Sequence, residues 1–249
     1  MGKQRKEIIK AALEKEYNVK KVYDWAGYAD ESREKPLVDI IELVSKELGF
    51  MPSYFYTIAI GEGLGHTYMD LDFNYETDYK NKTGEKILTN LPIDGFNTLG
   101  VDNFSSDFPE VKKYLPKDYN EGDEFKTVKV ARNEWGGKTT VNSAVFNGLK
   151  NALYGFGAIL CQRRDQFNAD RKKLKYGIPT EDQSAFWTYV YFQGQGTGIK
   201  YLTANGSLDF KKNPPTKVAR INGGNGVRYK ALERLATWRY MITKGIFTK

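Results

Sequence analysis

Apolar residues recur at helical spacing from Thr139 to about Leu174, and no other feature of the sequence constrains the fold as strongly. These residues are Val141, Val145, Leu149, Ala152, Phe156, Ile159, Leu160 and Phe167. Their spacing predicts one long helix at the centre of the core, or two helices broken near Gly155 and Gly157.

Further helices are predicted where apolar residues keep this period and a proline or glycine marks an end. They cover residues 4–17, 36–48, 106–114, 181–191 and 227–246, and one more starts after Pro52 and stops at the glycines of residues 61–65. Residues 66–105 are polar and rich in Asp and Asn, which predicts irregular structure with a small hairpin. Residues 126–131 alternate as in a strand, and glycine- and proline-containing loops are expected between the last helices. The predicted class is mainly α (α+β), with a small β or loop lobe.

The chain of 249 residues is 40% hydrophobic and 28% charged, which is globular composition. No apolar run approaches the roughly 18 residues of a membrane span, so no spanning helix is expected. Cys161 is the only cysteine, which excludes an intramolecular disulfide, and its apolar surroundings predict a core position. The charged amino-terminal residues lack the apolar region of a secretion signal, so synthesis in the cytoplasm without Sec export is expected.

Lysine and arginine number 38 against 31 acidic residues, and the net charge of +7 favours a polyanionic partner. Nucleic acid, an anionic membrane and the bacterial cell wall all meet that description. The basic clusters are Arg163-Arg164, Arg171-Lys172-Lys173-Lys175 and Lys211-Lys212. Their positions at predicted helix ends and in loops are typical of solvated charge, so nucleic acid is a disfavoured partner.

Glu62 stands at the end of an apolar helix and is the strongest candidate for a catalytic residue. It shares a helix face with Phe55, Ile58 and Ala59, because the four occupy positions i+7, i, i+3 and i+4. Partial burial and the negative end of the helix dipole both favour the protonated carboxyl. Such an acid can protonate the leaving oxygen of a glycosidic bond. The alternative is an ordinary glutamate that reaches solvent at a helix end.

Two segments resemble a known family. Residues 56–65, Tyr-Thr-Ile-Ala-Ile-Gly-Glu-Gly-Leu-Gly, are similar to the end of the catalytic helix in goose-type lysozymes and soluble lytic transglycosylases. Residues 186–196, Phe-Trp-Thr-Tyr-Val-Tyr-Phe-Gln-Gly-Gln-Gly, resemble the downstream motif of these enzymes, where an apolar helix ends in Tyr-Asn-Ala-Gly. The resemblance implies the helical lysozyme fold, with a small β lobe as one wall of a glycan cleft. Residues 1–35 would then form an amino-terminal helix and aromatic arm, and residues 36–249 the lysozyme-like domain.

The resemblance also implies cleavage of the β-1,4 bond between N-acetylmuramic acid and N-acetylglucosamine. Glu62 carries over as the general acid and Tyr191 as the motif tyrosine that lines the cleft. The other candidates for glycan binding are His66, Glu134, Tyr189, Gln193 and Gln195. Gln193 stands where the family has an Asn-Ala pair, and the Gly-Leu-Met-Gln signature of transglycosylases is absent. Hydrolytic and lytic products therefore both stay open.

A second carboxylate would define the reaction, because two groups about 5 to 9.5 Å apart separate retaining from inverting hydrolysis. The favoured candidates are Asp70, Asp72 and Asp102, followed by Asp94 and Glu134. No cofactor is expected. His66 is the only histidine, which excludes a multi-histidine metal site, and Arg132 occupies the position of the first glycine of a phosphate-binding loop before Gly137-Lys138-Thr139.

The sequence therefore predicts a peptidoglycan hydrolase, either a muramidase or a lytic transglycosylase. It would reach the cell wall without a signal peptide, after lysis, virion delivery or injection, as phage endolysins, virion-associated lysins and injected effectors do. The main alternative is a non-catalytic structural or cargo protein of a phage tail or contractile injection system, with the proteins of that apparatus as partners. A nucleic-acid-binding module is a third hypothesis, which rests only on charge and aromatic content.

Overall fold

The computed structural model of the chain describes residues 31–62, 88–89, 104–134, 137–211 and 224–244. These residues contain seven α-helices and a small sheet of three strands. The helices are α1 (Glu31–Glu47), α2 (Pro52–Gly61), α3 (Phe104–Val111), α4 (Gly148–Lys173), α5 (Glu181–Phe192), α6 (Gln195–Asn205) and α7 (Gly224–Lys244). The strands are β1 (Leu88–Thr89), β2 (Phe125–Glu134) and β3 (Gly137–Phe146), and a 3-10 turn at Lys112–Tyr114 follows α3. The predicted class, mainly α with a small β part, is confirmed.

The described residues divide into two compact units, one that extends to Ile159 and one that starts at Leu160. The division falls within α4. The predicted boundary between residues 35 and 36 is a different division and stays a prediction; the position itself lies inside α1. The helix predicted for residues 4–17 and most of the polar segment 66–105 lie outside the described residues. Within the part of the chain that the structure describes, no helix combines the length and apolarity needed to cross a bilayer.

Two glycines in α4 allow its neighbours in the first unit to approach closely. α4 continues past Gly155 and Gly157, so the predicted alternative of a break does not occur. Two residues along a helix turn the side-chain direction by about 200°, so these positions face opposite sides. A Cβ at Gly155 would lie 2.3 Å from Phe146 Cζ, and one at Gly157 would lie 2.1 Å from Leu48 Cδ1 and 3.0 Å from Phe55 Cε2. The missing side chains thus make room for β3 on one side and for α1 and α2 on the other.

The stretch predicted to be helical from residue 139 begins with a strand instead. Residues 137–146 form β3, and α4 starts only at Gly148. β3 pairs antiparallel with β2 from Phe125↔Phe146 to Glu134↔Gly137, and β1 pairs in parallel with the other edge of β2. The strand predicted for residues 126–131 is confirmed.

Aromatic side chains fill the core of the first unit beside the hairpin. The Phe104 ring centroid lies 4.8 Å from that of Phe125 and 5.1 Å from that of Phe146, with edge-to-face geometry in both pairs. All three rings are fully buried. Edge-to-face pairs add favourable quadrupole interactions to the burial of apolar surface, so this cluster fixes α3 against the sheet.

Two buried tyrosines of the first unit use their hydroxyl groups to link segments that are distant in the sequence. Tyr119 Oη donates to the Asn151 carbonyl at 2.8 Å, and Tyr154 Oη donates to the Glu47 carboxylate. Burial raises the pKa of Tyr119 well above its usual value, and the Glu124 carboxylate adds to the shift. The pKa of Tyr154 is also raised by burial, and then by the hydrogen bond to Glu47. Both phenols are therefore neutral over the physiological range.

The second unit has a core of aromatic side chains from α5 and from the segment after α6. The Phe186 and Phe210 rings stack with centroids 4.3 Å apart. Trp187 Nε1 donates to the Leu208 carbonyl at 3.0 Å, so its one polar atom has a partner although the ring is fully buried. α5 carries seven consecutive buried residues, Ala185 to Tyr191, and lies inside this unit.

α6 occupies a segment that was predicted to be a loop, and that prediction was wrong. Glycine lowers helix propensity, but packing can override a local preference. Tyr201 and Leu202 are buried on α6. A Cβ at Gly198 would lie 2.7 Å from ring atoms of Tyr191, so the glycine lets α6 approach α5.

The turn after α4 has the two hydrogen bonds of a Schellman motif. The Tyr176 N–H donates to the Arg171 carbonyl at 2.9 Å, and the Lys175 N–H donates to the Lys172 carbonyl at 3.0 Å. Lys175 adopts φ 59°, a left-handed conformation that is usually taken by glycine at this position. The turn is therefore well formed but has an unfavourable residue at its centre.

Candidate functional site

Glu62 lies directly after α2, as predicted. α2 begins at Pro52, and its first full turn is closed by the Phe55 N–H, which donates to the Met51 carbonyl at 3.0 Å. The Glu62 N–H donates to the Ile58 carbonyl at 3.0 Å and to the Ala59 carbonyl at 3.2 Å, so Glu62 continues the helical hydrogen bonding of α2. Its side chain is half-buried. The carboxyl therefore stands at the boundary between the core and the surface.

The helix that carries Glu62 is held firmly in the first unit. Phe55, Ile58 and Ala59 are fully buried, which confirms the predicted apolar face. Phe55 packs edge-to-face on Phe156 of α4 with centroids 5.5 Å apart. The Thr57 hydroxyl donates to the Ser53 carbonyl at 2.8 Å, so this buried polar group is satisfied within α2. Glu62 thus extends from a rigid support, which a positioned catalytic group requires.

The other carboxylates proposed from the sequence cannot be placed against Glu62. Asp70, Asp72 and Asp102 lie outside the described residues, and so does His66. Glu134 ends β2, opposite Gly137 in the hairpin. The structure therefore supplies one candidate acid and no distance between two carboxylates.

Tyr191, the predicted motif tyrosine, is a core residue of the second unit. Its side chain is fully buried, and Tyr191 Oη donates to Asp170 Oδ2 at 3.1 Å. Burial raises the pKa of Tyr191 well above its usual value, and the Asp170 carboxylate adds to the shift. The ring packs against Gly198 of α6. Tyr191 ties α4, α5 and α6 together and offers no accessible surface to a glycan strand in this structure.

Tyr189 belongs to a buried charged cluster that sequence reasoning missed. Only 1% of Tyr189 is exposed, and the Arg234 guanidinium lies over its ring, 5.4 Å from the centroid. Arg234 Nη1 is 3.6 Å from Glu233 Oε1, and their side chains are only 6% and 2% exposed. The signal in the sequence is the charged pair inside the apolar run Ala231 to Trp238. Burial of two charged groups costs free energy, so the fold is stable only while the two groups stay close to each other.

Gln193 and Gln195 are the accessible members of the downstream motif. Gln193 ends α5, where its N–H donates to the Tyr189 carbonyl at 3.1 Å, and its side chain is half-buried. Gln195 begins α6 and is exposed. Gly194 between them has φ 138°, which favours glycine and produces the sharp change of direction from α5 to α6. Unlike Tyr189 and Tyr191, both residues therefore have surface exposed to solvent in the second unit.

Cys161 is buried, as predicted. Burial raises the pKa of its thiol to about 11, so the protonated form, a poor nucleophile, prevails at neutral pH. In the described segments, no group of three or more His, Cys, Asp or Glu side chains is arranged to hold a metal ion.

Comparison of the chain with protein-family models, with curated proteins and with solved structures finds no match. The resemblance to lysozymes and lytic transglycosylases therefore rests on the two segments that contain Glu62 and Tyr191.

Proposed function

We propose that this chain cleaves the β-1,4 glycosidic bond of peptidoglycan, with Glu62 as its general acid. The observation that carries the proposal is the half-buried side chain of Glu62 at the end of a helix whose residues 52–59 are all buried. Partial burial keeps bulk water from one side of the carboxyl, while partial exposure leaves an oxygen accessible to a bound sugar. The mechanism uses only side chains and water and calls for no cofactor.

In the proposed reaction Glu62 donates its proton to the bridging oxygen while the bond to the anomeric carbon breaks. The departing sugar leaves as an alcohol, and positive charge develops on the ring that stays bound. Asp70, Asp72 or Asp102 is the proposed partner that stabilises this charge or activates water. Attack by water gives a reducing end, whereas attack by the sugar's own hydroxyl gives an anhydro product.

The test is the rate at which the purified chain solubilises peptidoglycan sacculi. Glu62→Gln keeps the size of the side chain but removes the acidic proton, so we expect the rate to fall by roughly 10² to 10⁴. Glu110→Gln, an exposed change on α3, is the matched control and should keep the wild-type rate. Equal rates for wild type and Glu62→Gln would remove Glu62 from the mechanism. Mass analysis of the fragments distinguishes reducing-end from anhydro products.

A non-catalytic structural or cargo protein of a phage tail or contractile injection system is the second candidate. It is favoured by the burial of Tyr189 and Tyr191, because the motif that resembles the family is used in the core. In that case the proteins of the apparatus are the partners. This candidate predicts that the folded wild type releases no fragments from sacculi, whatever residue occupies position 62.

A further inference from the structure

The loop between α4 and α5, residues 174–180, holds an aliphatic side chain in solvent. Ile178 in this α4–α5 loop is 90% exposed, whereas the next most exposed large apolar side chains of the described residues, Leu43 and Tyr229, are 44% and 37% exposed. Burying such a side chain would lower the free energy, so Ile178 is the strongest apolar contact point that the described surface offers to a partner.

The exposure of Ile178 is built into a well-ordered loop. Arg171 Nη1 donates to the Gly177 carbonyl at 3.1 Å, and Arg171 Nε donates to Asn168 Oδ1 at 2.8 Å. The other end of the loop is fixed by a capping box, in which Thr180 and Gln183 exchange hydrogen bonds with each other's backbone N–H. Pro179 restricts the preceding Ile178 to extended backbone. The loop therefore presents Ile178 instead of folding it inward.

Lysines precede this side chain closely in the sequence. Lys172, Lys173 and Lys175 are exposed, and the sequence has no acidic residue between Arg171 and Thr180. Two of the acidic residues that flank the loop in the sequence have basic partners: Asp170 is 14% exposed and binds Lys173 and Tyr191, and Asp182 pairs with Arg239. Glu181, at the start of α5, is exposed. The loop thus combines a positive surface with an apolar tip.

We propose that the α4–α5 loop and the last turn of α4 dock on an anionic lipid bilayer, with Lys172, Lys173 and Lys175 on the headgroup phosphates and Ile178 in the interface. A bilayer supplies both negative charge and an apolar layer just below it. A nucleic acid also supplies the negative charge, but it has no comparable apolar layer in which an aliphatic side chain can be buried. The inference does not depend on the proposed glycan chemistry, so Glu62→Gln should bind lipid like the wild type.

The test is co-sedimentation of the intact chain with vesicles of phosphatidylcholine alone or mixed equally with phosphatidylglycerol. We expect binding to the mixed vesicles only. The triple change Lys172→Glu, Lys173→Glu, Lys175→Glu should weaken it at least tenfold, because each lysine near an anionic surface contributes about fivefold. The control is Lys112→Glu, Lys113→Glu, Lys117→Glu, which changes the charge equally on exposed lysines of the first unit. Equal loss in both triples would overturn docking through this loop.

The uncharged change Ile178→Ser separates lipid docking from general polyanion binding. We expect it to weaken vesicle binding about threefold or more, whereas Leu43→Ser on α1 should have no effect. Full retention of vesicle binding by Ile178→Ser, together with equally strong binding of the wild type to duplex DNA, would overturn the proposal in favour of a nucleic acid.

Insertion of the tip can also be observed directly. Ile178→Cys can be labelled selectively with an environment-sensitive fluorophore, because Cys161 is buried. We expect the emission to shift to shorter wavelength on mixed vesicles and to stay unchanged for a label introduced by Leu43→Cys. An unchanged emission at position 178 would contradict insertion, and thermal melts of every variant would show that each is folded.

Discussion

Lys175 occupies the left-handed position of the turn after α4, which favours glycine. A side chain with a Cβ pays about 1 to 2 kcal/mol for the left-handed conformation, while glycine loses about 0.5 to 1 kcal/mol more entropy on folding. Lys175→Gly should therefore raise the free energy of unfolding by about 0.5 to 1 kcal/mol, as measured by urea denaturation.

Lys172→Gly is the matched control for that change. Lys172 is exposed and lies within the last turn of α4, where glycine has no conformational advantage and costs up to about 1 kcal/mol. The two variants remove the same charge from neighbouring positions, so charge alone predicts equal effects. Opposite signs support the argument from backbone conformation, and loss of stability in Lys175→Gly would refute it.

Tyr191 shows that a residue in a family-like segment can serve the core and not a cleft. Its place in the segment that resembles the family suggested a cleft-lining residue. Instead, its hydroxyl binds Asp170, 21 positions earlier, and its ring covers Gly198. A signal was present in the sequence: residues 185–192 of α5 are apolar or aromatic except for Thr188, as is typical of a helix segment buried on all sides. The order of the two family-like segments along the chain did not indicate that Tyr191 is buried.

At the scale of elements, α7 depends on a pair of charges. Arg234→Met should lower the free energy of unfolding by about 3 to 5 kcal/mol, because it leaves the Glu233 carboxylate buried without its neighbouring guanidinium. The double change Glu233→Leu, Arg234→Met should cost clearly less than the sum of the two single changes, since it removes both charges. Chemical denaturation of the four proteins measures this coupling. Strictly additive losses would mean that the two groups do not interact.

The helices with clear ends were predictable, while two boundaries were not. Proline and glycine marked α2, and a continuous run of mostly apolar and aromatic residues marked α5. The start of α4 was placed too early because residues four apart, such as Val141 and Val145, lie on one side of a helix and equally of a strand. The β-branched run Thr139-Thr140-Val141 was the better guide, since such residues favour strands. α6 was not predicted because its glycines lower helix propensity, and the helix is stabilised by packing against α5.

At the scale of the whole molecule, buried tyrosines should make stability depend on alkaline pH. Burial raises the pKa of Tyr119, Tyr154, Tyr191 and Tyr201 above the value of 10.0 for an unperturbed tyrosine. Below pH 10 both states hold these protons, so the contribution to stability is complete. Above it only the unfolded chain releases them, and the free energy of unfolding should fall by up to about 1.4 kcal/mol per pH unit for each tyrosine.

The measurement combines tyrosinate absorbance with circular dichroism as the pH is raised. We expect the exposed tyrosines to ionise first and the buried ones only together with the loss of helical signal. Tyr201→Phe should reduce the slope of stability against pH above pH 10, whereas Tyr229→Phe, a change of a partly exposed side chain, should not. Ionisation of every tyrosine with the helical signal intact would contradict the prediction.

The position of Glu62 was more accessible to sequence reasoning than the surroundings of the other candidate residues. Glu62 could be placed because a helix end and an apolar face are local properties. The surroundings of Tyr189 and Tyr191 depend on Arg234 and Asp170, which are distant in the sequence, and no local pattern specifies such contacts.

The two glycines on opposite sides of α4 would also mislead a survey of mutational tolerance. In a saturation screen for any selectable trait, positions 155 and 157 should rank among the most sensitive of the helix, since even alanine meets a ring or a leucine there. Neither position bears a reactive atom. Sensitivity at these sites would report lack of steric room and would be no evidence of a chemical role.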